Sequence, residues 1–322
     1  MPTYPGLSSE AFRHPLDAQA ELALRNLPGF NLVARKFVEF IYERPQLIYH
    51  SGNSIQVGPR QYATLYRIFR ECVRDLDVHP EPILFATQNP IANAYSLGQE
   101  RPYIVINSGL LDLMNEDEIR SVLAHELGHI KCGHTILIQM AMWVMGAITT
   151  IGELTFGIGN VVGTGLIYAF HEWKRKAELS CDRAALLALD DLNVVVSSMM
   201  KFSGGCHQFG HECSLEEFIK QSEQFQQLDS DGLNQVYKFL LYNGGQGAIL
   251  SHPFPVDRVH YLREWSLSSE YYNIKSGNYV RGEDSTIDIN STPPAPSEAA
   301  ELQRQIQELQ DEINRLKRKG NS

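Results

Sequence analysis

The sequence predicts an α+β domain that is mainly helical and contains one small sheet. Two observations lead to this fold class. Apolar residues recur at helical spacing over residues 60–76, 116–134 and 172–189. The clearest extended run, Tyr103 to Asn107, is short and is followed by a Ser-Gly turn, so the sheet is expected to be small.

Composition and charge exclude several classes of protein. The formal net charge of −10 and the lack of a basic stripe interleaved with aromatic residues argue against nucleic acid as a partner. Five cysteines form no even disulfide framework, which favours a reducing compartment. Residues 1–29 contain no apolar core segment. We therefore expect no signal peptide and a cytoplasmic protein, either free or attached to the cytoplasmic face of a membrane.

The first 83 residues are predicted to be helical and to pack on the domain that follows at residues 84–284. Tyr4 to Ile55 carries an apolar helical face interrupted at Pro28-Gly29, and Arg60 to Leu76 carries a second one. We interpret both as scaffold rather than as separate binding modules.

The strand at Tyr103 to Asn107 has two interpretations. It is either a buried core strand or an edge strand, to whose free backbone groups an extended peptide can add. We interpret Tyr103, Ile104 and Val105 as an edge strand that binds an extended peptide, with the buried core strand as the alternative.

The most informative motif, His125-Glu126-Leu127-Gly128-His129, lies on the next helix. Asn115 and Glu118 have the pattern of a capping box at the start of that helix. Histidines four residues apart on a helix lie on one face, so both can bind the same metal ion. Glu126 follows the first histidine and can take a proton from water beside that ion.

A third protein ligand is needed, and His134 and Glu178 are the candidates. The metzincin pattern would place a third histidine where this chain has Thr135. His134 does not fit that pattern, and we interpret it as a surface histidine or one that supports a ligand. Glu178, on a helix from Glu172 to about Leu189, is the predicted ligand, and Asp182 is expected to accept a hydrogen bond from a ligand histidine. The alternative is a solvated charged face.

A hydrophobic insert separates these two helices at residues 136–170. Its only acidic or basic residue is Glu153, and glycines punctuate it. Each apolar segment is shorter than the about 20 residues that a spanning helix needs. We interpret the insert as a hairpin that contacts a membrane or a partner, with a tilted two-span insertion as the alternative.

The remaining segments are a cysteine cluster and the C-terminal region. Cys206, His207, His211 and Cys213 match no standard zinc motif, and flanking glycines predict a loop with free thiols. Residues 285–299 are predicted to be a disordered linker. Residues 300–319 carry Leu and Ile at heptad spacing, which predicts a coiled coil and a homodimer. The alternative is a helix that docks on its own domain.

Several motifs in a fixed order resemble those of the zinc metallopeptidases typified by HtpX and the CAAX prenyl proteases. They are Asn93-Ala94-Tyr95, residues 106–111, Val122 to His129, Glu178 to Asp182, and His252-Pro253 followed by Arg258. The resemblance covers roughly residues 84–265. It implies a zincin-like fold and zinc endopeptidase activity on a peptide or unfolded protein.

The resemblance also assigns roles to individual residues. One Zn²⁺ per chain would be held by His125, His129 and Glu178, with Glu126 as the general base. His252 and Arg258 would face the active site as oxyanion donors, or His252 would be a resting-state metal ligand. Asn93 and Ala94 would lie beside the substrate-binding strand.

The biological role has two competing hypotheses. Family analogy suggests a peptidase in protein quality control. The alternative is a non-catalytic scaffold that binds a membrane or partner and uses zinc structurally. The presence of Glu126 with the whole ligand set disfavours the scaffold.

Overall fold

A computed structural model describes residues 2–27, 30, 34, 44–142, 158–243 and 252–282. Its elements in chain order are α1 (Pro15–Arg25), α2 (Arg44–Asn53), β1 (Ile55–Gln56), α3 (Ala63–Leu76), β2 (Ile83–Thr87), β3 (Ala94–Leu97), β4 (Tyr103–Asn107), α4 (Ser108–Leu113), α5 (Glu116–Lys131), α6 (Ile158–Leu189), α7 (Leu192–Gly204), α8 (Leu215–Asp229), α9 (Gly232–Asn243), α10 (Pro255–Ser266) and α11 (Ser269–Lys275). Residues 134–142 are also helical. The predicted mainly helical α+β class with one small sheet is therefore confirmed.

The four strands form one sheet in the order β1-β2-β4-β3. Strand β4 pairs in parallel with β2 and antiparallel with β3, so it lies inside the sheet. The expectation of an edge strand at Tyr103, Ile104 and Val105 is wrong, because these residues are buried and paired on both sides. Among the described strands, β3 (Ala94–Leu97) is the edge on this side.

Helix α5 begins where the sequence predicts. The Asn115 side chain accepts a hydrogen bond from the Glu118 amide, and the Glu118 carboxylate accepts one from the Asn115 amide. Glu118 also accepts hydrogen bonds from Ser197 and Lys201, which anchor α7 beside α5. One capping residue thus fixes both the start of α5 and the position of a neighbouring helix.

Helices α5 and α6 approach each other closely at Gly128. A Cβ atom at this position would lie 2.9 Å from the Ala184 Cβ and 3.0 Å from the Cys181 Cα. Both distances are shorter than an ordinary van der Waals contact of about 3.5–4.0 Å. Glycine is therefore required here so that side chains on the two helices can meet.

Two N-terminal helices pack against this helix pair, α1 against α6 and α3 against α5. Helix α3 buries Ile68, Phe69 and Val73, which confirms the predicted amphipathic helix. Helix α1 contributes Leu24 to a second apolar cluster, which also contains Phe170. The N-terminal helices therefore cover apolar residues of the domain.

The hydrophobic insert is partly core. Leu137, Met140, Leu166 and Phe170 are buried in the cluster beneath α1. The helix that carries Glu178 was expected to begin at Glu172, but α6 begins at Ile158, because no proline interrupts the helical pattern. Within the described parts of the chain, no helix is both long and apolar enough to span a membrane. Residues 143–157, the linker and the predicted coiled coil lie outside the described residues.

Candidate metal centre

Three side chains from α5 and α6 converge on one point. The His125 Nε2 atom lies 3.1 Å from Oε2 of Glu178, and the His129 Nε2 atom lies 3.5 Å from its Oε1. Ligand atoms 2.0–2.1 Å from a tetrahedral zinc ion are separated by about 3.3 Å. The three donors are of the types that bind zinc, and both spacings between a histidine nitrogen and the carboxylate are close to this value.

Glu178 has the electrostatic properties of a cation ligand. It is fully buried, and its Oε1 atom accepts no hydrogen bond from the described residues. Burial alone would raise the pKa of Glu178, but His252, His125 and His129 outweigh this effect and hold the pKa well below its usual value. An ionised, buried carboxylate without a full set of donors is costly unless a cation neutralises it.

Cys181 offers a competing donor on the same helix. Its thiol lies within the group of potential ligand atoms formed with His125 and His129. However, Cys181 Sγ lies 3.7 Å from His134 Nδ1, the atom that also contacts Nδ1 of His129, whereas Glu178 contacts Nε2 of His129. Burial also raises the pKa of the Cys181 thiol well above its ordinary value. Glu178 is the candidate third ligand whose oxygens lie 3.1 and 3.5 Å from the two Nε2 atoms.

Asp182 and Arg258 support His125. Oδ1 of Asp182 lies 3.0 Å from the His125 Nδ1 atom, on the opposite side of the ring from Glu178. Arg258, on α10, donates two hydrogen bonds to Asp182, at 2.8 and 2.5 Å. Burial would lower the pKa of His125, but hydrogen bonds with Asp182 and Glu178 raise it to about 9.

His134 contacts the other ligand histidine. It is completely buried, and its Nδ1 atom lies 3.1 Å from Nδ1 of His129. The surface interpretation of His134 is therefore wrong, and it lies in the position of a supporting residue. Its second ring nitrogen faces Asp17 on α1, a partner that no sequence motif indicates.

A cleft of about 400 Å³ opens beside these residues. Its lining includes Glu126, His252 and Arg258 together with Asn93 and Ala94 at the start of β3. His252 is half exposed, and its Nε2 atom lies 3.6 Å from Glu178. Tyr103, Ile104 and Val105 do not line the cleft. Its apolar wall includes Val122 and four residues not singled out from the sequence: Ala185, Val195, Met199 and Phe202.

The cysteine cluster lies elsewhere. Cys206 and Cys213 are exposed free thiols near the turn Gly210–Glu212. Across the described residues, the group of close potential ligand atoms at His125, His129 and Cys181 does not include Cys206 or Cys213.

Comparison with known proteins identifies the family. A model of peptidase family M48 matches residues 59–266. The plastoglobule-localized metallopeptidase 48 of Arabidopsis thaliana, a chloroplastic protein, is 35% identical over 83% of this chain and 76% of its own length. Protease HtpX homologues from Persephonella marina and Pelotomaculum thermopropionicum are 28% and 34% identical, each over 32% of this chain.

The two HtpX alignments span 41% and 39% of those proteins, so this chain matches less than half of their length. No solved structure matches significantly. The matches to a metallopeptidase family agree with two histidines and a carboxylate arranged as zinc ligands. The chain belongs to peptidase family M48 and is a metallopeptidase similar to HtpX.

Proposed function

We propose that this protein is a zinc-dependent endopeptidase in which His125, His129 and Glu178 hold one Zn²⁺ and Glu126 is the general base. The observation that carries the proposal is the convergence of both Nε2 atoms on the buried Glu178 carboxylate, 3.1 and 3.5 Å away. When bound there, zinc would lower the pKa of a coordinated water from about 16 towards 7 and polarise the scissile carbonyl.

The chain's own residues would supply the remaining steps. Glu126 lines the cleft beside His125, where its carboxylate can accept a proton and pass it to the leaving amine. Arg258 Nη1, 3.5 Å from Glu178, and His252 are the donors that we propose for the developing oxyanion. Asp182 orients His125, and Arg258 fixes Asp182.

The cleft favours an extended, apolar peptide segment as substrate. Strand β3 borders the cleft through Ala94, so a peptide in extended conformation can add to its outer edge. Val195, Met199 and Phe202 offer an apolar wall for a substrate side chain. Unfolded proteins expose such segments, which agrees with a quality-control role, although that role rests on family analogy.

A paired measurement of metal content and cleavage tests this function. We expect Glu126→Gln to keep one zinc per chain and to lose casein cleavage by a factor on the order of 100 or more. Asp117→Asn removes an exposed carboxylate from the same helix and is the matched control, with wild-type cleavage. Equal cleavage by wild type and Glu126→Gln would refute the mechanism. Zinc binding without cleavage by wild type would favour the scaffold alternative.

Association with other molecules is a separate proposal. We propose contact of residues 136–170 with a membrane and dimerisation through residues 300–319. Deletion of residues 301–322 should then halve the mass measured by light scattering. The name of the Arabidopsis relative makes a plastid the alternative to a cytoplasmic location, and cell fractionation separates the two.

A further inference from the structure

A row of three side chains extends away from the metal centre behind His129. His129 Nδ1 lies 3.1 Å from His134 Nδ1, and His134 Nε2 lies 3.1 Å from Oδ2 of Asp17. Asp17 and His134 are fully buried. The row therefore runs from the proposed ligand His129 on α5, through His134, to Asp17 on the N-terminal helix α1.

The direction of the hydrogen bonds follows from the two ends of the row. The Nε2 atom of His129 faces the Glu178 carboxylate and would carry the metal, so the ring proton belongs on Nδ1. That N–H then donates to Nδ1 of His134, which must accept. The proton of His134 consequently lies on Nε2 and is donated to Asp17. Each nitrogen in the row has a single consistent role.

Asp17 is held firmly in place to accept this bond. Its carboxylate also accepts hydrogen bonds from Ser180 Oγ at 2.7 Å and from Arg13 Nε at 3.0 Å. Burial would raise the pKa of Asp17, but His134 and Arg13 outweigh it, so its pKa lies far below the usual value. Ser180 lies two residues after Glu178 on α6, and its Oγ accepts a hydrogen bond from the His14 amide.

The two proposed ligand histidines are thus supported differently. The Nδ1 atom of His125 meets the carboxylate of Asp182 directly, whereas the Nδ1 atom of His129 reaches the carboxylate of Asp17 through His134. Asp182 and His134 lie within the part of the chain that matches the family model, residues 59–266, but Asp17 does not. The second carboxylate therefore comes from a helix outside the matched region.

We propose that Asp17, acting through His134, is a positioning residue for the zinc ligand His129, so that helix α1 is a functional part of the metal centre. This inference rests on the proposed zinc site. It assigns α1 a purpose beyond packing, since a carboxylate that fixes the tautomer and orientation of a ligand histidine increases its affinity for the metal.

The test measures metal binding by the full chain rather than activity alone. Zinc affinity is determined by competition with a chelator, and the visible absorption of the Co²⁺-substituted protein reports the ligand geometry. We expect Asp17→Ala and His134→Phe each to weaken zinc binding about 10- to 100-fold and to change the Co²⁺ spectrum. Asp17→Asn keeps the shape of the side chain and should weaken zinc binding less than Asp17→Ala does. The effect of Ser180→Ala on zinc affinity should lie between those of these two variants.

Asp75→Asn is the matched control. Asp75 is also a fully buried carboxylate, but its ion pairs are with Arg74 and Arg120 on α3 and α5. Its loss should destabilise the fold and leave zinc affinity and the Co²⁺ spectrum unchanged. Two results together would overturn the inference. The soluble variants Asp17→Asn and Ser180→Ala would match wild type in both measurements, and so would at least one of Asp17→Ala and His134→Phe. Failure of wild type to bind zinc would instead refute the proposed function.

Discussion

The close approach of α5 and α6 at Gly128 predicts a large effect from adding a single methyl group. In Gly128→Ala, the new Cβ would lie 2.9 Å from Ala184 Cβ and 3.0 Å from Cys181 Cα. Restoring ordinary contact distances requires the two helices to separate by roughly 1 Å. Such overpacking costs about 1–3 kcal/mol, and the higher helix propensity of alanine offsets about 1 kcal/mol of it.

The same displacement acts on the metal centre. His125 and His129 lie on α5 and Glu178 on α6, so a shift of roughly 1 Å changes the donor spacings of 3.1 and 3.5 Å by more than the about 0.5 Å that a functional site tolerates. We expect Gly128→Ala to lose up to about 2 kcal/mol in free energy of unfolding. Peptidase activity should fall by a factor on the order of 100.

Urea unfolding, zinc content and peptide cleavage measure these effects on one preparation. Gly204→Ala is the control, since a Cβ at Gly204 would meet no atom within 4 Å. It should be neutral or slightly stabilising. The double variant Gly128→Ala/Ala184→Gly removes the nearest clashing atom and should recover part of the activity. Wild-type activity and stability in Gly128→Ala would refute the packing argument.

Three further predictions concern the start of α5, the start of α1 and the support of His125. Asn115→Ala removes a capping acceptor and should lower the free energy of unfolding by about 1 kcal/mol, measured by urea titration. His14 accepts the Leu16 amide through Nδ1, and burial lowers its pKa to about 4. In the unfolded chain the pKa of His14 is about 6.5, so lowering the pH from 7 to 4.5 protonates the unfolded state more than the folded state. The free energy of unfolding should therefore fall by about 2–3 kcal/mol over this range, and His14→Asn should lack this contribution to the fall. Arg258→Lys loses the paired bonds to Asp182 and should lower kcat/KM about 10- to 100-fold with zinc retained.

Each of these three predictions would be contradicted by a specific result. An unchanged unfolding curve for Asn115→Ala would mean that the cap is not needed. The same dependence of stability on pH in wild type and His14→Asn would remove the argument about His14. Wild-type kcat/KM in Arg258→Lys would remove the argument that Arg258 supports the site through Asp182.

Local features were predictable because neighbouring residues determine them. The capping box at Asn115 and Glu118 is formed by residues three apart, and the helical face of His125 and His129 follows from their spacing. The existence of a strand at Tyr103 to Asn107 likewise follows from its own residues. Its place inside the sheet does not, since strand order depends on pairing with β2 and β3.

The candidate site was only partly predictable for the same reason. The resemblance to a family, and not the spacing of residues, indicated His252 and Arg258 in the sequence. His134 was left between two interpretations, because burial cannot be assigned to a single polar residue near a helix end. The apolar wall from α7 gave no signal, since Val195 and Met199 are also typical core residues.

The sequence by itself predicted the metal chemistry that we propose for this protein, because the two histidines and Glu126 lie within a single helix whose geometry is local. Only the tertiary structure decided what surrounds that chemistry. It brought Glu178 to the histidines through the close contact at Gly128, made β3 the edge strand and brought Asp17 to His134. These relations join residues far apart in the chain, and packing between elements, rather than local conformational preference, determines which of them meet.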